Sequence, residues 1–207
     1  MYGPYQLVPR EWCIVRRILE RRPFIVLPED GLTLHHHGYA ENLAHAVLLA
    51  VDQPAASAGQ IYNCGDEEVL TLRQVVEITA HALGRPLEIV SMPYALAVCA
   101  RPLVMQSVST HRVFDLGKLR TQLGYRDRVP AREAVARTAQ WLEAHPLAAG
   151  GVEERVLQDP FDYAAEDALL AAWRKAIAGL QAPTYAREPG YTASYSGPGG
   201  SERTGEF

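Results

Sequence analysis

Short, unbroken apolar runs alternate along this chain with amphipathic stripes of helical period, and turn residues mark most of the changes between them. Phe24, Ile25, Val26 and Leu27 are apolar without interruption and end in Pro28-Glu29-Asp30-Gly31, which reads as a buried strand closed by a turn. Residues 60–65 and 87–90 are two further short strand candidates. The helical stripes lie around them. Residues 11–22 place Trp12, Val15, Ile18 and Leu19 on one face before Pro23 stops the helix. Residues 42–51 read as a mostly buried helix. Thr71-Leu72-Arg73-Gln74 is a capping box opening a helix that carries Val75, Val76, Ile78 and Leu83 and ends at Gly84. Residues 94–103 and 116–123 read as helices, the second capped by Asp115 and closed by Gly124. Pro130 suits the first position of a helix running to about Ala144, and residues 163–180 form a last amphipathic helix. Helices outnumber short strands, so the expected fold is α/β: a small, mostly parallel sheet with many helices around it.

Composition narrows the function. The 207 residues carry 20 basic and 24 acidic side chains, a formal charge of -4, which gives no basic surplus for nucleic acid. No apolar run approaches the roughly 20 residues of a membrane span, so no membrane association is expected. Cys13, Cys64 and Cys99 are odd in number and far apart, which argues against a disulfide framework and fits a reducing, cytoplasmic setting. From Ala182 onward Val, Ile, Leu and Met vanish, and residues 182–207 are expected to be a disordered tail. A solvated tail outweighs a partner-binding one built on Tyr185, Tyr191 and Tyr195.

Much familiar chemistry is missing. The chain has two lysines, Lys118 and Lys175, and neither completes a phosphate-binding G-x-x-x-x-G-K-[ST] loop. Gly197, Gly199 and Gly200 lie in the tail, with no strand before them and no helix after. There is no G-x-S-x-G elbow and no C-x-x-C. His35-His36-His37 is the conspicuous cluster. On an extended segment His35 and His37 share a face while His36 points away. A zinc site would need a further ligand such as His111 or Glu41, and no second pair at fixed spacing supports one, so no metal is expected. Two readings stay open for these histidines: the polar lining of a ligand pocket, and surface or internally satisfied rings.

Several segments, in order, resemble the second half of the extended short-chain dehydrogenase/reductase family, the NAD-dependent epimerase/dehydratases. Met1-Tyr2-Gly3-Pro4 is similar to that family's V-Y-G-P after a central strand. Residues 24–31 resemble its strand and turn before the substrate loop, and residues 37–44 its H-V-x-D-x-A segment. Residues 59–65 followed by Thr71 resemble its G-x-x-Y-N-x-G…T unit. Asp115 and Lys118, with Leu123-Gly124-Tyr125, resemble D-x-x-K-x-x-x-x-L-G-Y, and Trp141-Leu142 ends the likeness as the family's late helix does.

The resemblance implies a two-part enzyme: a Rossmann half that binds NAD or NADP, and a substrate-binding half, of which this chain matches the second. The expected organisation is a substrate-binding half over 1–150, an additional C-terminal helix over 151–181, and the tail over 182–207. The family's Tyr-x-x-x-Lys acid/base pair occurs nowhere here, since Phe114 and Ala171 stand four residues before the two lysines. No catalytic or cofactor-binding residue is therefore expected on this chain, and a longer reading frame upstream of Met1 is. Expected substrate contacts are His35, His37 and Tyr39, then Tyr2 and Glu11, while Trp12 is assigned to the core. Where relatives carry an Arg for a substrate diphosphate, this chain has His35, which disfavours a sugar nucleotide. The family's Asp at the following helix is Asn42. The expected partners are a small-molecule substrate and the missing Rossmann half or another protein. The rival reading is a stand-alone, non-catalytic binding or scaffold protein.

Overall fold

The computed structural model describes residues 1–181 and 183–187. The chain divides into two compact units, Met1–Glu166 and Asp167–Phe207. The expected tail, apart from 183–187, lies outside the described residues.

In the first unit, α1 (Trp12–Leu19) buries Trp12, Cys13, Ile14, Val15 and Ile18. It stops short of the expected Arg22 because Arg21 turns to φ 57, and the Arg22 amide reaches back to the Arg17 carbonyl at 2.8 Å. That wrap satisfies the open carbonyls of the last turn. Strand β1 (Phe24–Pro28) is buried along its whole length and pairs in parallel with β2 (Glu88–Met92), Phe24 opposite Glu88 through Pro28 opposite Met92. A two-stranded parallel sheet needs a long crossover. Here it contains α2 (Ala40–Asp52), the short α3 (Pro54–Ser57) and α4 (Leu72–Ala82). The capping box on α4 forms as expected: the Gln74 amide donates to Thr71 Oγ1 at 3.1 Å and the Thr71 amide to Gln74 Oε1 at 2.9 Å. After β2 come α5 (Arg101–Val104), α6 (Gly117–Leu123) and α7 (Ala131–Ala144), and α1, α4 and α7 pack on one another. Pro130 takes the cap of α7 rather than its first turn.

Three expectations are corrected. Residues 60–65 are extended but join no ladder; Ile61 is 86% exposed, and side chains take the segment's carbonyl, Lys118 Nζ donating to Ile61 O at 3.0 Å. Residues 94–103 are not one helix. A turn leads into a 3-10 segment (Val98–Ala100) and then α5, because Pro102 fits only a first helical turn. Helix α2 is largely uncovered: only Asn42 and Ala46 are buried, while Val47, Leu48 and Val51 are 63%, 60% and 67% exposed. Its other side, with Ala46, Leu49 and Ala50, packs on Leu119, Leu123 and Tyr125.

Beyond Gly150 the chain forms two helices, α8 (Val152–Leu157) and α9 (Tyr163–Ala178), parted by Gln158 at φ 60 and by Pro160. Helix α8 is clipped onto α1. Glu154 Oε1 accepts from Trp12 Nε1 at 2.8 Å and from Arg16 Nη1 at 2.7 Å. Arg17, fully buried, donates to Asp159 at 2.7 Å and also pairs with Glu166. Residues 183–187 have no regular structure. Among the described residues no helix is long and apolar enough to cross a membrane.

Candidate functional site

The segment 33–37 runs between two neighbours. Leu34 bridges Thr71 on one side and His35 bridges Arg112 on the other. The extended backbone does alternate the histidines. His36 turns inward, its Nδ1 accepting from the Phe114 amide at 2.9 Å and its Nε2 donating to the Asp66 carbonyl at 2.7 Å. Both nitrogens are consumed, so His36 is a structural residue. Gly65 has to be glycine for this packing, since a Cβ there would come within 2.7 Å of His36 Nε2.

His35 and His37 lie on the opposite face with near-parallel rings, centroids 6.1 Å apart and planes 17° from coplanar. Arg10 Nη1 is 2.6 Å from His37 Nε2. Arginine can only donate, so His37 Nε2 is the acceptor and the ring proton resides on Nδ1. Gln106 Nε2 donates to the Thr110 carbonyl at 3.1 Å, which fixes the amide's orientation, and lies 3.3 Å from His35 Nε2. That ring too carries its proton on Nδ1. Both rings are held neutral: burial first, then the Arg10 charge, pushes His37 down to about 2 and His35 to about 4.

Arg10 is itself paired. Its Nη2 meets Glu11 Oε1 at 2.8 Å, and Glu11 Oε2 accepts from Gln6 Nε2 at 2.8 Å. Glu11 is 1% exposed. The row therefore runs Gln6, Glu11, Arg10, His37, His35, Gln106. The amide oxygens Gln6 Oε1 and Gln106 Oε1, one at each end, are buried without a hydrogen-bond partner.

The five residues expected at the site thus divide. Glu11, His35 and His37 come together. Tyr2 and Tyr39 belong to a different buried cluster centred on Asp66. Tyr2 Oη donates to Asp66 Oδ2 at 2.7 Å, and the Tyr39 amide and Asn42 Nδ2 donate to Asp66 Oδ1, each at 2.9 Å. The two tyrosine rings pack at 5.5 Å, and burial beside Asp66 drives the Tyr2 hydroxyl far above its ordinary range. Sequence reasoning missed Arg10, Gln6 and Gln106. Arg10 was the traceable one, a cation directly before the first stripe residue of α1; the glutamines left no signal.

No three His, Cys, Asp or Glu side chains converge as a metal set among the described residues. His111 Nδ1 accepts from the Leu34 amide at 3.0 Å and Glu41 faces Arg137 at 3.8 Å. All three cysteines are free. Lysine and tyrosine do meet once, Lys118 Nζ lying 5.0 Å from the Tyr62 ring, but the Tyr62 hydroxyl is bonded to Gln122 Oε1 at 3.0 Å and the ammonium to a backbone carbonyl. These residues also fit a dinucleotide poorly. Strand β1 runs into a 3-10 turn (Glu29–Gly31) and β2 into Pro93, and neither passes through a glycine-rich turn into a helix N-terminus.

No family model matches the chain. It is 28% identical over 166 residues to the uncharacterized protein YbjS of Escherichia coli K12, covering 70% of this chain and 48% of that protein. It is 27% identical over 144 residues to the UDP-D-apiose/UDP-D-xylose synthase of rice, covering 66% of this chain and 35% of that enzyme. Among solved structures, dTDP-glucose 4,6-dehydratase from Bacillus anthracis in complex with NAD superposes with a TM-score of 0.53 at 20% identity, over 70% of this chain and 42% of that one. Over 70% of its length the chain has the fold of the C-terminal part of Rossmann-type NAD-dependent epimerases and dehydratases. The chain spans less than half the length of the proteins it matches.

Proposed function

We propose that this chain supplies the substrate-binding part of an NAD(P)-dependent epimerase/dehydratase or reductase, and that the hydride and proton chemistry resides on residues outside these 207. One observation carries the reading: the fold aligns over 70% of this chain but only 42% of the dehydratase, and neither a Tyr-x-x-x-Lys pair nor a glycine-rich turn into a helix occurs in the aligned body. In the complete protein NAD or NADP supplies hydride transfer. The part played by this chain is to receive and orient the substrate at the row from Gln6 to Gln106.

The uncovered face of α2 supports the same reading over a stand-alone scaffold. Val47, Leu48 and Val51 present a contiguous apolar stripe of the kind that marks a buried contact with another body. Calorimetric titration of the purified chain with NAD and NADP tests the proposal. The expected result is no saturable binding; a Kd tighter than about 1 mM overturns it.

A further inference from the structure

We propose that the ligand group received by His35 and His37 is an uncharged hydrogen-bond acceptor, a carbonyl or hydroxyl oxygen on a hydroxylated molecule, and that the row excludes phosphate and diphosphate. This rests on the reading of the row as the substrate site and specifies its substrate class.

The tautomers come first. Arg10 and Gln106 each claim the Nε2 lone pair of one ring, so each imidazole is left with a single Nδ1–H to offer. No described residue accepts from either. Two neutral N–H groups on near-parallel rings suit oxygen acceptors and supply no charge.

Net charge is the second consideration. The Arg10 charge is cancelled by Glu11 at 2.8 Å, and both residues are buried, so the row sums to zero. A diphosphate brought here would be stripped of water beside a buried carboxylate, and the other cations that act on the rings, the Met1 ammonium and Arg112, are exposed. Arg112 bridges His35 through the backbone, and its charge acts on both rings. It stands exposed on the rim, with Nη2 3.3 Å from the Met105 carbonyl, where solvent and salt screen it.

The third consideration is polarity of a different kind. Gln6 Oε1 and Gln106 Oε1 are buried acceptors awaiting a donor at the two ends of the row. A hydroxylated ligand carries donors that can meet these oxygens with both amides left in place. A fully ionised phosphate has none and would repel both oxygens.

The test is NMR of the full chain labelled with 15N-histidine, titrated at pH 7.5 with dihydroxyacetone and methyl glucoside as uncharged probes and with pyrophosphate and UDP as charged ones. Saturable shifts of the His35 and His37 ring nitrogens with an uncharged probe alone are the expected result. Gln106→Leu and, separately, Gln6→Leu should each weaken that probe about 5-fold while the chain still unfolds cooperatively. His35→Arg should make the pyrophosphate response appear. If pyrophosphate or UDP shifts the wild-type rings, the substrate class is wrong while the site stands. If neither class shifts them, the row is not the substrate site and both readings fall.

Discussion

Asn42 shows how one side chain can hold several segments together. Its Oδ1 accepts from the Arg128 and Val129 amides at 2.9 and 3.0 Å, and its Nδ2 donates to Asp66 and to the Val129 carbonyl, each at 2.9 Å. The amide is required here, because a carboxylate at 42 would face the carboxylate of Asp66. Asn42→Asp should cost about 2–4 kcal/mol at pH 7.5 by urea denaturation. The deficit relative to wild type should narrow at pH 5.5, since a proton shared by two crowded carboxylates raises their folded-state pKa and restores stability as pH falls. Arg17 is the companion case. Arg17→Met strands Asp159 and Glu166 and should cost about 3–5 kcal/mol, partly recovered by adding Asp159→Asn. The histidines give the opposite pH dependence to Asn42→Asp. His35 titrates near 4 when folded, while its unfolded pKa is about 6.5, so the unfolded chain binds the extra proton between those values. Stability is therefore full above about pH 6.5 and falls by on the order of 3 kcal/mol as pH drops to 4. His37, pushed lower still, adds a similar loss over the same window, so His35→Asn should remove about half of the combined slope in denaturation curves.

Elements differ in how much of their fate they carry themselves. The α4 capping box closes locally, and Gly124 at φ 68 ends α6 as its sequence predicts. Residues 60–65 have strand composition yet form no strand, because a ladder needs a neighbour and none lies alongside in the described chain. Helix α2 shows the same dependence: its apolar residues predict burial on both sides, and only one side is packed. Leu48→Glu with Val51→Glu should reduce self-association of the purified chain in light scattering and move the melting temperature by no more than about 2 °C, since neither side chain is packed. A large loss of stability on that double substitution would mean the face is covered within the chain.

At the scale of the molecule, residues 151–166 matter more than their place after the family-like segments suggests. Glu154, Asp159 and Glu166 secure them to Trp12, Arg16 and Arg17 of α1, the helix whose approach carries Arg10 and Glu11 of the row. Ending the chain at residue 150 should therefore expose Trp12 and Arg17 and lower the melting temperature by at least about 5 °C in a calorimetric scan.

Periodicity, caps and turn residues are properties of neighbouring residues. They therefore sufficed to predict the α/β class, both strands of the sheet, the capping box of α4, the glycine end of α6 and the opposed faces of His35 and His36. Ordered short motifs likewise revealed which fold most of the chain follows. The charge state of the histidines and the diversion of Tyr2 and Tyr39 to Asp66 depend on groups 27 to 71 positions apart meeting in space. Hydrogen bonding and burial act through distance in space, so only the folded chain decided which of the expected residues come together.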